Sequence, residues 1–212
     1  MARPGGAAVT SRDRVLGRIR DALGPARGTP VAVPRDYRRH LGAGRADVLA
    51  LFLERVAGHG TPVRHVGADE LATALAAALW SRDVKRIIVP PGLPSGWLAE
   101  LDGVEIAPDA PGTAPDAADT VVTGCAAAVA ETGTIVLDGG RGQGRRALTL
   151  RPGLHLCVVH ADQIAGTVPE AVARLLPSRP QTWLTGPAVA PGPSRAPSPH
   201  GPSALEVLVV ED

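Results

Sequence analysis

A strand–helix–strand succession between residues 61 and 89 constrains the fold of this chain more than any other part of the sequence. Residues 61–66 alternate like a β-strand, residues 69–80 are an Ala/Leu-rich helical pattern, and residues 86–89 are a short apolar run that ends at Pro90-Pro91-Gly92. Strands and helices that alternate at this spacing are typical of a parallel βαβ unit. The sequence therefore predicts an α/β fold, with a mainly parallel sheet and helices on both faces.

Similar patterns recur along the rest of the chain, and no internal repeat is visible. Further helices are predicted at residues 11–23, with Ser11 as N-cap, at 46–56, at 98–101 and at 161–176. Further strands are predicted at residues 104–107, 120–122, 134–137, 154–159, 182–185 and 205–210. We expect residues 45–212 to form a single three-layer α/β domain and residues 1–44 to form an N-terminal helix and an extended arm.

Composition excludes several classes of protein. The net charge of +1 gives no electrostatic reason to expect a nucleic-acid partner, and an aromatic content of 2% argues against base-stacking surfaces. The first 20 residues carry several charges without an apolar segment, and no stretch of 18 apolar residues occurs. We therefore expect a cytoplasmic protein with neither a signal peptide nor a membrane span.

The cysteines and histidines predict no metal site in this chain. Cys125 and Cys157 lie far apart, and neither belongs to a CxxC unit, so one chain cannot supply the four thiolates of an iron–sulfur or zinc site. Both cysteines lie in apolar runs and are interpreted as core residues. No HxxxH or HExxH spacing occurs. His155, in an apolar strand, is either a core histidine or a ligand.

One carboxylate, Glu131, stands out because it lies between an apolar run and Thr132-Gly133-Thr134. Burying an isolated charge is costly, so a carboxylate at this position is either paired or functional. In the structural interpretation, Glu131 caps a helix or anchors the turn at Gly133. In the functional interpretation, it lies in the crevice at the strand ends, where open α/β sheets bind ligands.

A glycine-rich loop, GGRGQGRR at residues 139–146, follows the next predicted strand. Glycines let backbone N–H groups approach an anion, and arginine binds phosphate or carboxylate through paired hydrogen bonds. The loop matches neither a P-loop nor a dinucleotide fingerprint, and no helical pattern follows it. It is either a bare hairpin or an anion site; in the second case the binding residues are Gly140, Gly142, Gly144, Arg145 and Arg146.

Several of these segments together resemble the lactate-utilisation protein C family, and the resemblance extends over nearly the whole chain. The segments are AVAETGTIVLD at residues 128–138, Arg146-Ala147-Leu148, residues 154–159, Gln163-Ile164, His200-Gly201-Pro202 and the helical pattern at residues 15–24.

The resemblance implies a fold related to coenzyme A transferases, ribose-5-phosphate isomerase and 5-formyltetrahydrofolate cyclo-ligase. It also implies a role in oxidising L-lactate to pyruvate beside iron–sulfur partner proteins, which would hold the clusters. Glu131 resembles the reactive glutamate of the transferases, and Thr132, Gly133, Thr134 and His200 would join it in binding a small carboxylate. The sequence departs from the family after Gly186-Pro187, where relatives usually have Ser and later an Ile-Glu pair. Here Ala188 follows.

Three functions remain open from the sequence. The chain is a subunit of a lactate-oxidising assembly without redox centres of its own, a small-molecule enzyme with an acyl, phosphate or nucleotide ligand, or a scaffold whose arm docks a partner.

Overall fold

The computed structural model of the chain describes residues 10–24, 32–110, 120–150, 152–187 and 201–211. They fall into two compact units, one ending at Tyr37 and the other beginning at Arg38. The boundary predicted from the sequence lies somewhat later, between residues 44 and 45. The predicted contribution of His200 and the departure at Ala188 lie outside the described residues, as does most of the loop predicted between residues 108 and 119.

The first unit contains one helix, α1 (Ser11–Leu23), with the bounds that the sequence predicts. Its N-cap is Thr10, so the assignment of Ser11 as N-cap is wrong. The Thr10 hydroxyl accepts a hydrogen bond from the Asp13 backbone N–H at 3.2 Å, and the Asp13 carboxylate accepts one from the Thr10 N–H at 3.1 Å. This reciprocal capping box satisfies backbone donors that would otherwise lack partners at the start of the helix.

Six parallel strands form the main sheet of the second unit, in the order β1-β10-β7-β4-β2-β3. They are β1 (Val63–Gly67), β2 (Arg86–Val89), β3 (Glu105–Pro108), β4 (Thr120–Thr123), β7 (Leu154–His160) and β10 (Ala204–Glu211). The predicted parallel α/β sheet is confirmed.

A second sheet of four strands, in the order β8-β5-β6-β9, was not predicted. Its strands are β5 (Ala127–Val129), β6 (Thr134–Leu137), β8 (Ile164–Ala165) and β9 (Thr182–Leu184). Strand β6 pairs antiparallel with β5 and β9, whereas β5 and β8 are parallel. The predicted strands at 134–137 and 182–185 therefore exist but belong to this sheet rather than to the main one.

Among the described residues of the second unit, four helices and three short 3-10 turns accompany the sheets. The helices are α2 (Arg45–Gly58), α3 (Leu71–Trp80), α4 (Arg146–Leu150) and α5 (Val168–Arg174), and the 3-10 turns are Ala68–Glu70, Ser95–Leu98 and Ala161–Gln163. The continuous helix predicted at 161–176 is wrong, because β8 interrupts it and a capping box between Thr167 and Glu170 starts α5 afresh. Helix α4 also corrects the expectation that no helix follows the glycine-rich loop.

Both faces of the main sheet are buried by different layers. One face packs against α3, with Leu75 and Leu79 against Val122, Leu156 and Leu208. The other face packs against α2 and the second sheet, and its core residues include Phe52, Val56, Ala128, Ile135, Leu184, Cys157, Val159 and Val207. Short α4 covers the same side of β2 and β4 through Leu148, which contacts Ile88 and Val121. The main sheet is thus the middle of three layers, as parallel sheets usually are.

Gly133 joins the second sheet to α2 at very short range. It has φ of +62° in the turn between β5 and β6, and a Cβ there would lie 2.8 Å from the Arg55 carbonyl carbon and 2.9 Å from the Val56 nitrogen. The turn approaches the backbone of the helix, which has no side-chain freedom to move away. Only glycine fits both the conformation and the space.

Within the described ranges, no helix combines the length and the apolar character that crossing a bilayer requires.

We expect Gly133→Ala to lower the free energy of unfolding by about 3 kcal/mol, because it combines a left-handed backbone with a backbone clash. Gly103→Ala is the matched control: its φ is +73°, but nothing lies within 4 Å of the added Cβ, so about 1 kcal/mol is expected. Urea unfolding of both variants measures the difference. Equal losses would mean that the turn moves away from α2 without cost.

Candidate functional site

A cleft of about 1040 Å³ opens where the glycine-rich loop meets the main sheet. The residues that follow β2 and β3, namely Pro91, Gly92 and Asp109, form part of its lining. The loop after β6 and the residues before β9 form the rest. The cleft therefore lies beside the carboxyl ends of two neighbouring parallel strands, the usual place for ligands in α/β folds.

Hydrogen bonds fix the loop on the ends of β2 and β4. The Gly142 N–H donates to the Pro91 carbonyl at 3.0 Å, and the Gly124 N–H donates to the Gly142 carbonyl at 2.9 Å. Asp138, which is buried, accepts the Gly140 N–H at 2.9 Å, and its own N–H donates to the Gln143 side-chain carbonyl at 2.7 Å. These hydrogen bonds give the loop a defined conformation, in contrast to the bare flexible hairpin that the sequence left open.

These hydrogen bonds also engage backbone N–H groups of the loop that were predicted from the sequence to bind an anion. The N–H groups of Gly140 and Gly142 have protein acceptors, and so does that of Gln143, which donates to the Gly140 carbonyl. Gly144 has φ of +74°, and a Cβ there would lie 2.5 Å from Leu148 Cδ2, so packing already explains this glycine. Anion binding by Gly140, Gly142 and Gly144 stays a prediction. Because these backbone groups already have partners, the arginine side chains of the loop are the better candidates for binding an anion.

Arg145, one of the two predicted anion-binding arginines, is engaged with a carboxylate. Its guanidinium donates to both carboxylate oxygens of Asp109 at 2.7 to 3.1 Å and to the Ala110 carbonyl at 3.0 Å. The hydrogen bonds with Asp109 raise the pKa of Arg145 above its ordinary value. Arg145 therefore ties the loop to the segment after β3.

Two other arginines present their charge to the cleft. Arg141 and Arg146 are exposed, both line the cleft, and neither has an ion-pair partner within the described residues. The stem of Arg141 lies over Gly92, where a Cβ would come within 2.3 Å of Arg141 Cγ. Arg146 is an anion-binding residue predicted from the sequence, whereas Arg141, in the same loop, was not predicted.

The remaining charges of the cleft come from distant parts of the sequence. Arg179 Nη1 donates to the second carboxylate oxygen of Asp138 at 3.0 Å. The cleft thus has four guanidinium groups, on Arg141, Arg145, Arg146 and Arg179, and two carboxylates, on Asp109 and Asp138, which leaves two positive charges in excess. No local motif contains Asp109 or Arg179, so sequence patterns gave no signal for them.

Glu131 lies elsewhere, in the turn between β5 and β6. Strand β6 separates it from the glycine-rich loop, and Glu131 is not among the residues that line the cleft. The structure therefore does not bring Glu131 together with the residues of this cleft, and a site role for Glu131 stays a prediction. Thr132, Gly133 and Thr134 lie with Glu131, so the predicted residues form two groups rather than one site.

The contacts of Glu131 match the helix-capping role that the sequence left open, and they add an anchoring contact to Arg38. One carboxylate oxygen accepts from Arg38 Nη2 at 2.8 Å, and the other accepts from the Val168 N–H at 3.2 Å, at the start of α5. Thr167 donates to the Arg39 carbonyl at 2.8 Å, and His40 lies 3.1 Å from Glu170. Residues 38–44, called the strap below, are tied to the α/β unit through these bonds. A catalytic role for Glu131 stays a prediction.

The threonines beside Glu131 bond to each other and to the next strand. The Thr132 hydroxyl donates to the Thr134 hydroxyl at 2.8 Å, and Thr134 lies 2.7 Å from the Thr185 hydroxyl. His59 Nε2, after α2, lies 2.9 Å from the Thr132 carbonyl oxygen. The turn is thus connected to α2 and to the end of β9, and a ligand role for Thr132 and Thr134 stays a prediction.

His155 is a core residue of the main sheet. It has no exposed surface, and its Nε2 lies 2.7 Å from the Thr123 hydroxyl on the neighbouring strand. Its Nδ1 has no hydrogen-bond partner within the described residues. Burial lowers the pKa of His155 to about 4, so the imidazole is neutral at physiological pH.

The two cysteines lie in the same buried layer. The hydrogen bond between the Cys125 and Cys157 thiols, together with burial, raises the pKa of Cys125 well above its ordinary value. A thiol with a raised pKa is a weak nucleophile, which agrees with the core interpretation of Cys125. Within the part of the chain that the structure describes, no group of three or more His, Cys, Asp or Glu side chains is placed to hold a metal ion.

Comparison with known proteins gives concordant results. Residues 43–196 match the LUD domain family. The chain is 43% identical over 175 residues to a protein of Deinococcus radiodurans named Lactate utilization protein C, and the match covers 78% of this chain and 81% of that protein. It is also similar to the crystal structure of a DUF162 family protein from Deinococcus radiodurans, with a TM-score of 0.66 and 42% identity over 79% of this chain and 99% of the other.

We expect acid to destabilise the protein through His155. The pKa of about 4 in the folded state lies below the ordinary value of 6.5, so the unfolded chain takes up this proton first. The contribution to stability is complete above pH 7 and is lost as pH falls from 6.5 towards 4, by about 3 kcal/mol. Urea unfolding as a function of pH measures this slope. The slope should be smaller in His155→Gln. Parallel curves for wild type and His155→Gln would contradict the assignment.

Proposed function

Because the chain belongs to the LUD domain family, we propose that it is a cytoplasmic subunit needed for the oxidation of L-lactate to pyruvate. The observation that carries this proposal is the extensive identity with the relative named Lactate utilization protein C, which supports a role in lactate utilisation. The finer proposal is that this chain works with iron–sulfur partner proteins as a component of a complex rather than as a complete enzyme.

The redox step needs an acceptor outside this chain. Oxidising lactate to pyruvate removes two electrons and two protons from the carbinol group. The chain has two cysteines, fewer than the four thiolates that ordinarily ligate an iron–sulfur cluster, and it has no dinucleotide fingerprint. We propose that the electrons pass to clusters held by the partner proteins and that the protons pass to water.

The contribution of this chain to the complex has two candidate forms. The cleft supports a ligand-binding role, because Arg141 and Arg146 offer exposed guanidinium groups to an anionic ligand. The exposed side of α1 supports a scaffold role, because Val15, Ile19 and Leu23 are each more than half exposed and no residue of that helix is buried. An apolar stripe of this kind is suited to docking a partner.

The small-molecule enzyme that the sequence left open rests on Glu131 and the glycine-rich loop, and its acyl-transfer form needs a reactive Glu131. A carboxylate nucleophile must be desolvated and free to attack. Glu131 is paired with Arg38, and its side chain is 26% exposed. The geometry therefore supports this alternative less than it supports a subunit of a complex.

The isolated chain should not oxidise L-lactate. We expect no lactate-dependent dye reduction by the purified chain, activity when it is combined with the iron–sulfur partners, and loss of activity when it is omitted. A chain lacking residues 1–37 separates the two roles, since the truncation keeps the strap and the whole α/β unit. Loss of co-purification with the partners would favour docking through residues 1–37, whereas an intact and active complex would favour the ligand-binding role of the cleft. Dye reduction by the chain alone would overturn the subunit proposal.

Glu131 and Arg38 together distinguish chemistry from anchoring. We expect Glu131→Gln and Arg38→Gln to support growth on L-lactate equally well in a strain lacking the gene, because each removes the same exposed ion pair. Such a pair contributes less than about 1 kcal/mol, so both variants should fold. Matched protein levels and growth on glucose are the controls. If Glu131→Gln fails while Arg38→Gln restores growth, the carboxylate has a function of its own and the anchoring interpretation is wrong.

A further inference from the structure

The size of the cleft does not match the small substrate of the proposed reaction. Pockets for drug-sized ligands measure roughly 300–1,000 Å³, and this cleft is at the upper end with about 1040 Å³. A three-carbon acid held by one arginine would fill a small part of that space and leave the second unpaired arginine in water. The cleft is therefore dimensioned for a larger ligand.

The charges of the cleft are arranged to favour a ligand with several negative groups. Arg141 and Arg146 are exposed and have no ion-pair partner among the described residues. Arg179 uses Nη1 on Asp138, and its side chain is still 47% exposed, which leaves guanidinium N–H groups accessible. The two positive charges in excess around one opening repel each other, and a multiply charged anion relieves that repulsion.

Two buried carboxylates hold the segments that contain these arginines in place. Asp109 and Asp138 are 5% and 7% exposed, and they bind Arg145 and Arg179 on two sides of the opening. These ion pairs position the loop and the residues before β9 without any ligand. A site whose walls are set in advance loses less conformational freedom on binding.

The walls also contain apolar surface suited to an organic moiety. Pro91, Leu137 and Pro180 line the cleft along with the hydroxyl-bearing Thr149 and Thr182. A bare inorganic ion would make no use of that surface. Charge at one part and apolar surface with a few hydroxyl groups at another fit a phosphorylated compound with a ring system.

We propose that this cleft binds a phosphorylated organic ligand of nucleotide size, whose phosphate groups contact Arg141, Arg146 and Arg179. Guanidinium groups bind phosphate oxygens through paired, charge-assisted hydrogen bonds, which suits a ligand with two or more phosphate groups. The inference does not depend on the lactate proposal, because it rests on the volume, the charge and the apolar lining of the cleft. In this assignment lactate is not the ligand of the cleft.

Calorimetric titration of the full chain tests the proposal with five probes. ATP carries phosphates and a ring system, fructose 1,6-bisphosphate carries phosphates on a sugar, pyrophosphate is phosphate alone, citrate is a polycarboxylate, and L-lactate is the small acid. We expect ATP to bind most tightly, pyrophosphate and citrate at least tenfold more weakly, and L-lactate without measurable heat. The affinity for ATP should fall as salt is raised.

Variants connect the binding to the cleft. Arg141→Gln and Arg146→Gln should each weaken ATP binding by about tenfold or more, since a charge-assisted hydrogen bond contributes about 1.5–3 kcal/mol. Arg55→Gln is the matched control, because it removes an exposed arginine on α2 and should leave binding unchanged. Urea unfolding checks that all three variants remain folded.

Four results would overturn the proposal. They are no binding of ATP or fructose 1,6-bisphosphate at millimolar concentration, equal affinity for pyrophosphate and the organic phosphates, unchanged binding in both cleft variants, and L-lactate binding that Arg146→Gln abolishes. The last result would assign the cleft to lactate and would leave the lactate proposal standing. Failure of lactate oxidation in the reconstituted system would leave the binding result intact, so the two proposals fail separately.

Discussion

The burial of both faces of the main sheet is the constraint on which the rest of the molecule depends. Parallel strands joined by crossovers must be covered on each side, since their apolar residues point both ways. Helix α3 covers one face, and α2 covers the other together with the second sheet. Gly133 lies close to α2 because the β5–β6 hairpin and the helix pack side by side on the same face of the main sheet.

The second sheet also decides which chemical groups meet. Glu131 precedes strand β6 and the glycine-rich loop follows it. Two motifs that are neighbours in sequence therefore lie at opposite ends of the strand, in different regions of the molecule. One end anchors the strap through Arg38, and the other forms the cleft. A motif that looks like one site along the chain becomes an anchoring point and a separate cleft in space.

Ion pairing divides the arginines of the cleft into two kinds. Arg145 and Arg179 are bound to buried carboxylates, and removing either arginine would leave an uncompensated carboxylate at low exposure. Arg141 and Arg146 are exposed and contribute charge rather than structure. The same residue type, within one short loop, thus serves the fold at Arg145 and is available for binding at Arg146.

The sequence by itself determined the parallel α/β class, most strands of the main sheet, and the family, because periodicity and a contiguous motif are local properties. Residues 86–89 and 134–137 were predicted with the bounds that the structure has. The strands β5 and β8 are too short to show a period in the sequence. The helix predicted at 161–176 is interrupted because β8, which lies within that range, pairs with β5. Only the tertiary structure decided that Asp109 and Arg179 belong to the cleft and that Glu131 does not. The reason is physical: ion pairs and sheet pairing between residues distant in sequence place these side chains, and no local pattern records such contacts.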